Sequence, residues 1–334
     1  MNFRELDRIW IAAEIGANHE GDLSVAEDLV RKAAAAGADS VKFQNYAAER
    51  YVSSVQQERQ NGARGRALEP DQFRRLAEVA KECGVTFFST PLAPEDADLV
   101  DDFTPIFKVA SGEITLIDHI RHLAGKNKPM IISTGGALLD EIRAAVNAVL
   151  EVRPDARDKG QLMLMHCVMA YPVPPESANL RNIGMLQAEF GLPVGYSDHT
   201  LGNTTCELAI GAGAVAIEKH FTYRKENQEF RDHQLSADPQ DMAELVKAIR
   251  HAEVLLGRTD RSRQPAEEEI FDTMRRSVAA AVDIPAGEVI QKEWLTGLRP
   301  LWGVPIEEID TVVGKKANRA IPTGDLISKD DLGS

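Results

Sequence analysis

The chain has 334 residues, 43% hydrophobic and 27% charged, which is enough to bury one large core and a smaller one. Its formal net charge of −14 excludes a sequence-independent grip on nucleic acid, which needs basic stripes, yet a few local lysines could still hold an anionic ligand. Cys83, Cys167 and Cys206 are scattered with no CxxC and fit a reduced, cytoplasmic setting; the polar start "MNFRELDRIW" predicts no secretory leader, and no apolar run of about 18 residues predicts a membrane span. In chain order, short apolar runs then alternate with amphipathic stretches. The predicted strands are "IWIAAEIG" (9–16), "DSVKFQ" (39–44), "TFFSTP" (86–91), "IFKVAS" (106–111), "MIISTG" (130–135), "LMLMHC" (162–167), "PVGYSD" (193–198) and "AIEKHF" (216–221). Helices are predicted over 22–37, opened by Asp22 and stopped by Gly37, over 70–84, and over 238–257. This α/β alternation matches a (β/α)8 TIM barrel over 1–257; a doubly wound open sheet is the alternative, but no GxGxxG follows the first strand.

The character changes after Gly257. Residues 258–276 read as a charged linker with a helical part. In 277–334 an imperfect repeat appears: "IPAGEVIQKEWL" (284–295) realigns with "IPTGDLISKDDL" (321–332). The pattern predicts a small β-rich module with a quasi-twofold layout. So small a module buries little surface alone and calls for a partner surface.

A barrel strand covered on both faces should be apolar throughout. Here the carboxyl ends break that rule with Glu14, Lys42, Gln44, Thr90, Lys108, Ser111, Ser133, His166, Ser197, His199 and His220. Active sites of this architecture sit at those ends. The strand period of two puts Lys42 with Gln44 and Glu218 with His220 on one face, and turns Lys219 to the other. His199 and His220 end neighbouring strands, as a divalent-metal site requires; hydrogen-bonded structural imidazoles are the alternative. Lys42 and Lys108 among hydroxyls suit a phosphate or carboxylate, or one of them a Schiff base; snorkelling to solvent is the plain alternative. Glu14 and Glu113 are candidate general bases, although Glu14 could simply pair with Lys42 and Glu113 could be a helix N-terminal acid. Asp232 and His233 lie in the long loop after the eighth strand, within reach of His220 by connectivity. The segment 45–69, with Arg50, Arg59, Arg64 and Arg66, is expected to be a lid or a disordered excursion.

The segments "AEIGANHEGD", "GADSVKFQ", "FFSTP", "KVASGE", "ISTGG", "YSDHTLG" and "EKHF", in that order, resemble the sialic acid synthase family. Its members condense phosphoenolpyruvate with an amino-sugar aldehyde to nine-carbon 2-keto acids (nonulosonic acids), and the tail resembles their antifreeze-like, or SAF, module. The resemblance implies a TIM barrel followed by an SAF domain, and a divalent ion, manganese above magnesium or cobalt, on His199 and His220. It implies phosphoenolpyruvate on Lys42, Thr90, Lys108, Ser111, Ser133, Tyr171 and Ser197, and the amino sugar on Gln44, Glu113 and Asp232. Glu14 matches the strand-one glutamate of the family's catalytic set. Arg299 of "LRPLWG" would reach a partner's site in a domain-swapped homodimer. Three positions depart from the pattern: Met169 replaces a polar residue before Tyr171, Phe230 and Arg231 replace Gly-Pro, and Asn45 and Tyr46 follow Gln44. All lie near the sugar pocket. The expected acceptor is therefore an N-acetylmannosamine-like sugar or, in legionaminic- or pseudaminic-type chemistry, a diacetamido-trideoxyhexose. A Schiff-base pyruvate lyase is the more distant alternative.

Overall fold

Alternate residues of each strand in the first unit face two different apolar surroundings, and this closes the sheet on itself. A computed structural model describes residues 1–226, 230 and 232–333 as two compact units, Met1–Gly257 and Arg258–Ser334. In the first, β1 (Trp10–Gly16), β2 (Ser40–Asn45), β3 (Thr86–Pro91), β4 (Phe107–Val109), β5 (Met130–Ser133), β6 (Leu162–Cys167), β7 (Val194–Asp198) and β8 (Ala216–His220) form a closed barrel. Neighbouring strands are parallel, and β8 pairs back onto β1. The helices are α1 (Leu23–Ala35), α2 (Ala48–Tyr51), α3 (Gln57–Arg66), α4 (Pro70–Glu82), α5 (Pro94–Val100), α6 (Ile117–Gly125), α7 (Leu139–Val152), α8 (Asn182–Phe190), α9 (Thr204–Gly211), α10 (Asp232–Leu235) and α11 (Pro239–Leu256).

Outward residues such as Ile11, Ala13, Ile15, Val41 and Phe43 join the helices in one large core. Inward residues near the amino ends, Trp10, Ala12, Phe88, Ile131, Met163 and Ala216, form a second core with Phe3. The helices dock through stripes at helical spacing. In α1, Ala26, Leu29, Val30 and Ala33 are buried, and the Asp22 carboxylate caps the first turn by accepting from Ser24 N at 2.7 Å. In α4 the buried face is Phe73, Leu76, Val79 and Ala80. Removing one such side chain, as in Leu76→Ala, costs about 2–5 kcal/mol.

The interior apolar layer stops halfway up. Two residues further along every strand but β6, which keeps the apolar Met165, the same inward face carries Glu14, Lys42, Thr90, Lys108, Ser133, Ser197 and Glu218, all buried. The register levels them: Glu14 pairs with both Lys42 and His220, and Ser197 pairs with Glu218. The fold thus turns a period-two pattern into one polar ring at the carboxyl end of the cylinder.

Of the two expectations for segment 45–69, a lid or a disordered excursion, the second is corrected: the segment folds into α2 and α3. Ala48, Val52 and Ala63 pack with Tyr46 in a small cluster of their own, which gives these short helices something to bury. In the second unit, α12 (Pro265–Met274) occupies the linker, and β9 (Ser277–Ala280) pairs antiparallel with β10 (Leu295–Leu298). The repeat is visible as geometry: Ile284 and Ile321 exchange backbone hydrogen bonds at 2.9 and 2.8 Å. Each copy then turns at a left-handed glycine, Gly287 (φ 87°) and Gly324 (φ 91°), where a Cβ would be strained. Each ends in a short 3-10 helix, Lys292–Trp294 and Lys329–Asp331.

Candidate active site

Two lysines and two glutamates meet inside the polar ring. Lys108 Nζ donates to both carboxylate oxygens of Glu218 at 2.9 Å. Lys42 Nζ lies 3.1 Å from Glu14, 3.5 Å from Glu218 and 3.3 Å from the Thr90 hydroxyl. Gln44 donates to the other Glu14 oxygen at 3.0 Å, and the Ser197 hydroxyl donates to Glu218 at 2.8 Å. Snorkelling to solvent, the plain alternative, does not occur, because these ammonium groups find carboxylates inside the barrel. The Glu14–Lys42 pair does form, as the plain reading of Glu14 required.

The two glutamates titrate differently. Burial alone would raise Glu218, but Lys108 and Lys42 hold its carboxyl well below the ordinary range. Glu14 is raised by burial; Lys42 only partly offsets this, and the neighbouring Glu218 adds to it. Burial lowers Lys108, partly offset by Glu218. Glu218 is thus held ionised between two ammonium groups, whereas Glu14 is displaced toward its neutral form. Sequence reasoning left Glu218 out of the candidate set, although its place two residues before His220 already put it on the inward face.

His199 and His220 come together at the ring's rim with centroids 5.3 Å apart. His199 Nδ1 lies 3.0 Å from the Val168 carbonyl, which can only accept, so that nitrogen donates its proton there; burial lowers His199, but Cys167 and this hydrogen bond outweigh it and leave the ring raised. Cys167 Sγ lies 3.7 Å from the same nitrogen. His220 Nδ1 is buried with no hydrogen-bond partner. Burial, with the nearby His199 and Lys42 charges, pushes His220 well below its usual value and keeps the imidazole neutral, as a metal ligand must be. The donor set fits a divalent cation that takes further ligands from substrate or water, since among the described residues no group of three His, Cys, Asp or Glu side chains is arranged to hold one alone.

Around this centre, Tyr171 lies 4.2 Å from the His199 ring and 6.2 Å from the His220 ring. Burial first, and then the charges of Cys167, Asp232 and Glu14, raise its phenol. Ser133 Oγ is buried without a partner, and Ser111 Oγ accepts from Gly135 N at 3.1 Å. A Cβ on Gly135 would sit 2.7 Å from Ser111 Oγ, so this turn leaves room for nothing larger than glycine. Glu113 ends a 3-10 turn, Ser111–Glu113; burial raises it, and Lys42 is near enough to oppose the rise. Asp232 opens α10, and its charge is felt at Tyr171. Met169 is exposed, with its methyl over Gly136. Arg231 lies outside the described residues. Arg299 is exposed in the second unit, just after β10.

The barrel and its polar ring define a class, and comparison with known proteins names it. The NeuB family model matches residues 29–261 and the SAF domain model residues 275–333. The chain belongs to the NeuB family, the nonulosonic acid synthases, and carries an SAF domain. It is 37% identical to an N,N'-diacetyllegionaminic acid synthase of Legionella pneumophila over 94% of this chain and 92% of that one. It is 33% identical to the human N-acetylneuraminate-9-phosphate synthase over 96% and 92% of the two chains. The crystal structure of an N-acetylneuraminic acid synthetase from Leptospira borgpetersenii, in complex with citrate, superposes with a TM-score of 0.74 at 32% identity, covering 79% of this chain and 90% of that one. Among the described residues no helix is long and apolar enough to cross a membrane.

Proposed function

We propose that the protein condenses phosphoenolpyruvate with an N-acylated amino-sugar aldehyde, in the manner of a transferase, and releases phosphate by C–O cleavage. The carrying observation is the pair of buried lysines and the His199–His220 pair at the same end of the barrel, with Glu14, raised by burial, beside Lys42. Lys42 and Lys108, with Thr90, Ser111, Ser133 and Ser197, form the anion cradle for the carboxylate and phosphate of phosphoenolpyruvate. On arrival that anion shares the ammonium protons now held by Glu14 and Glu218. Gln44, Glu113, Tyr171 and Asp232 orient the acceptor. A divalent cation on His199 and His220, manganese being the expected ion, would polarise the aldehyde oxygen as a Lewis acid.

In the reaction, the enol π electrons form the bond from C3 to the aldehyde carbon, and the aldehyde oxygen takes up a proton. Water adds to the resulting oxocarbenium at C2, and Glu14 accepts its proton. Glu113, also raised, is the second carboxyl able to serve the aldehyde oxygen. Collapse of the C2 hydroxyl expels phosphate and leaves the 2-keto acid. The acceptor favoured by the relatives' names is a mono- or diacetamido hexose. A cytoplasmic homodimer, with Arg299 of one SAF domain completing the partner's acceptor site, belongs to the same proposal.

The test combines phosphate release with mass spectrometry of products from phosphoenolpyruvate and a panel of N-acylated hexosamines. A new nine-carbon acid, formed with manganese and abolished by chelator, is expected. Full turnover after stripping with chelator would overturn the metal assignment. A borohydride-trapped lysine adduct with pyruvate would replace condensation by Schiff-base chemistry.

A further inference from the structure

Four arginines lie between β2 and α4, and three of them are accounted for. Arg50 pairs with Asp96, Arg64 pairs with Glu49 at 2.6 Å, and Arg59 donates to Gln56 and lies over the Tyr51 ring. Arg66, the last residue of α3, is different. It is half-buried, its Nε is buried with no hydrogen-bond partner, and among the described residues no carboxylate is within ion-pair distance. In a chain of net charge −14, an inward arginine without an acid asks for an explanation, because buried charges are ordinarily paired.

Its position supplies one. The guanidinium lies 4.6 Å from the centre of the Phe230 ring and beside the Tyr46 hydroxyl. Stacking fixes the plane of the fork, one edge of which donates to the Tyr46 hydroxyl while the buried Nε–H has no partner. Tyr46 follows directly after the end of β2, two residues beyond Gln44, which is bonded to Glu14, and packs on the α2–α3 cluster. Phe230 comes two residues before Asp232, and its ring packs edge-on against His233 at 6.1 Å. The end of α3 is pressed onto the β1 loop so closely that a Cβ on Gly21 would lie 2.3 Å from the Gly65 carbonyl. Arg66 therefore stands above the corner of the mouth shared by β8, β1 and β2, the strands that carry His220, Glu14 and Gln44.

We infer that Arg66 binds the acceptor, donating hydrogen bonds to an oxygen-rich substituent, an acylamino carbonyl or a phosphate ester, at the end of the sugar remote from its aldehyde. This rests on the proposed condensation. The substituent takes the one N–H of Arg66 that the protein leaves without a partner, beside the Phe230 ring two residues before Asp232.

The experiment is steady-state kinetics of the full-length, manganese-supplied enzyme with N-acetylmannosamine, its 6-phosphate and a 2,4-diacetamido-2,4,6-trideoxyhexose, for wild type, Arg66→Ala and Arg66→Lys, with melting temperatures alongside. Arg66→Ala is expected to raise the KM of the preferred acceptor about 10-fold or more and to leave the KM of phosphoenolpyruvate within about twofold. A loss largest with the 6-phosphate and restored by Arg66→Lys assigns the phosphate ester, since lysine serves as a point charge there. A loss largest with the diacetamido sugar and not restored by lysine assigns the acylamino carbonyl. An unchanged acceptor KM overturns the inference. So does an equal rise in both KM values with a lowered melting temperature, which marks Arg66 as a prop for Phe230. Wild-type enzyme inert toward every acceptor sinks the condensation reading itself, a result separable from any effect of the variants.

Discussion

Glu218 and Lys219 are consecutive residues of one strand, and each joins a buried ion pair, but the two pairs are built to opposite ends. Outside the barrel, Lys219 donates to Asp198 at 2.6 Å and to the carbonyls of Thr200 and Gly202 at 2.7 and 2.9 Å, so all three ammonium protons are placed. Asp198 in turn accepts from Tyr196 at 2.9 Å and from Thr200 N at 2.9 Å. That pair is closed: it ties the β7 loop to β8 and has no capacity left. Inside the barrel Lys108 holds Glu218 at 2.9 Å, but Lys42 makes only longer contacts, at 3.1 to 3.5 Å, and Ser133 Oγ and His220 Nδ1 have no hydrogen-bond partner. A finished network stabilises, whereas an unfinished one of the same chemistry, placed at the mouth of the cylinder, is ready to receive a ligand.

Breaking the comparison should separate activity from stability. Lys108→Met should cut kcat/KM by at least about 10³-fold, roughly 4 kcal/mol of transition-state stabilisation, while the protein stays folded; phosphate-release assays with circular dichroism check it. Lys219→Met should do the reverse. It strands Asp198 in an apolar layer and should cost about 3–5 kcal/mol in denaturant unfolding, with near-normal turnover per folded molecule. Should both variants lose activity and stability alike, the distinction drawn here fails.

A third buried base sharpens the contrast because it has no ion partner. Burial lowers His19 from 6.5 to about 4. The unfolded chain thus takes up a proton near pH 6.5 that the folded chain refuses until about pH 4. Stability is fully present above that window and falls as the pH drops through it, by up to about 3 kcal/mol from this group. His19→Asn, which keeps an acceptor for Gly21 N, should flatten the profile measured by urea melts between pH 7 and pH 4; an unaltered slope would refute the assignment. The smallest effect lies in the SAF repeat, away from every ion pair. Gly287→Ala and Gly324→Ala should each cost about 1 kcal/mol from the left-handed backbone, and by similar amounts if the two halves are equivalent.

Much of this was legible beforehand, because a barrel strand advertises itself twice. The apolar runs gave the order of the eight strands, and the period of two separated Lys42 and Gln44 from Lys219 correctly. What the sequence hid was pairing across the cylinder: Lys108 and Glu218 are 110 residues apart, and no local pattern joins them. Glu218 was therefore passed over while its neighbours in the ring were chosen. The helices α2 and α3 were missed for a different reason: α3, "QERQNGARGR", carries almost no apolar face, and only Ala63 is buried. Its fold depends on a contact with α2 that periodicity does not report.

The measurement that bears most directly on the central claim is a calorimetric titration of phosphoenolpyruvate onto wild type, Lys42→Met and Lys108→Met, with Lys219→Arg as the folded control. The unfinished inner network predicts binding by wild type and by the control, and a loss of at least about 30-fold in each inner variant. Undiminished binding by the inner variants would contradict it and place the anion elsewhere on the protein.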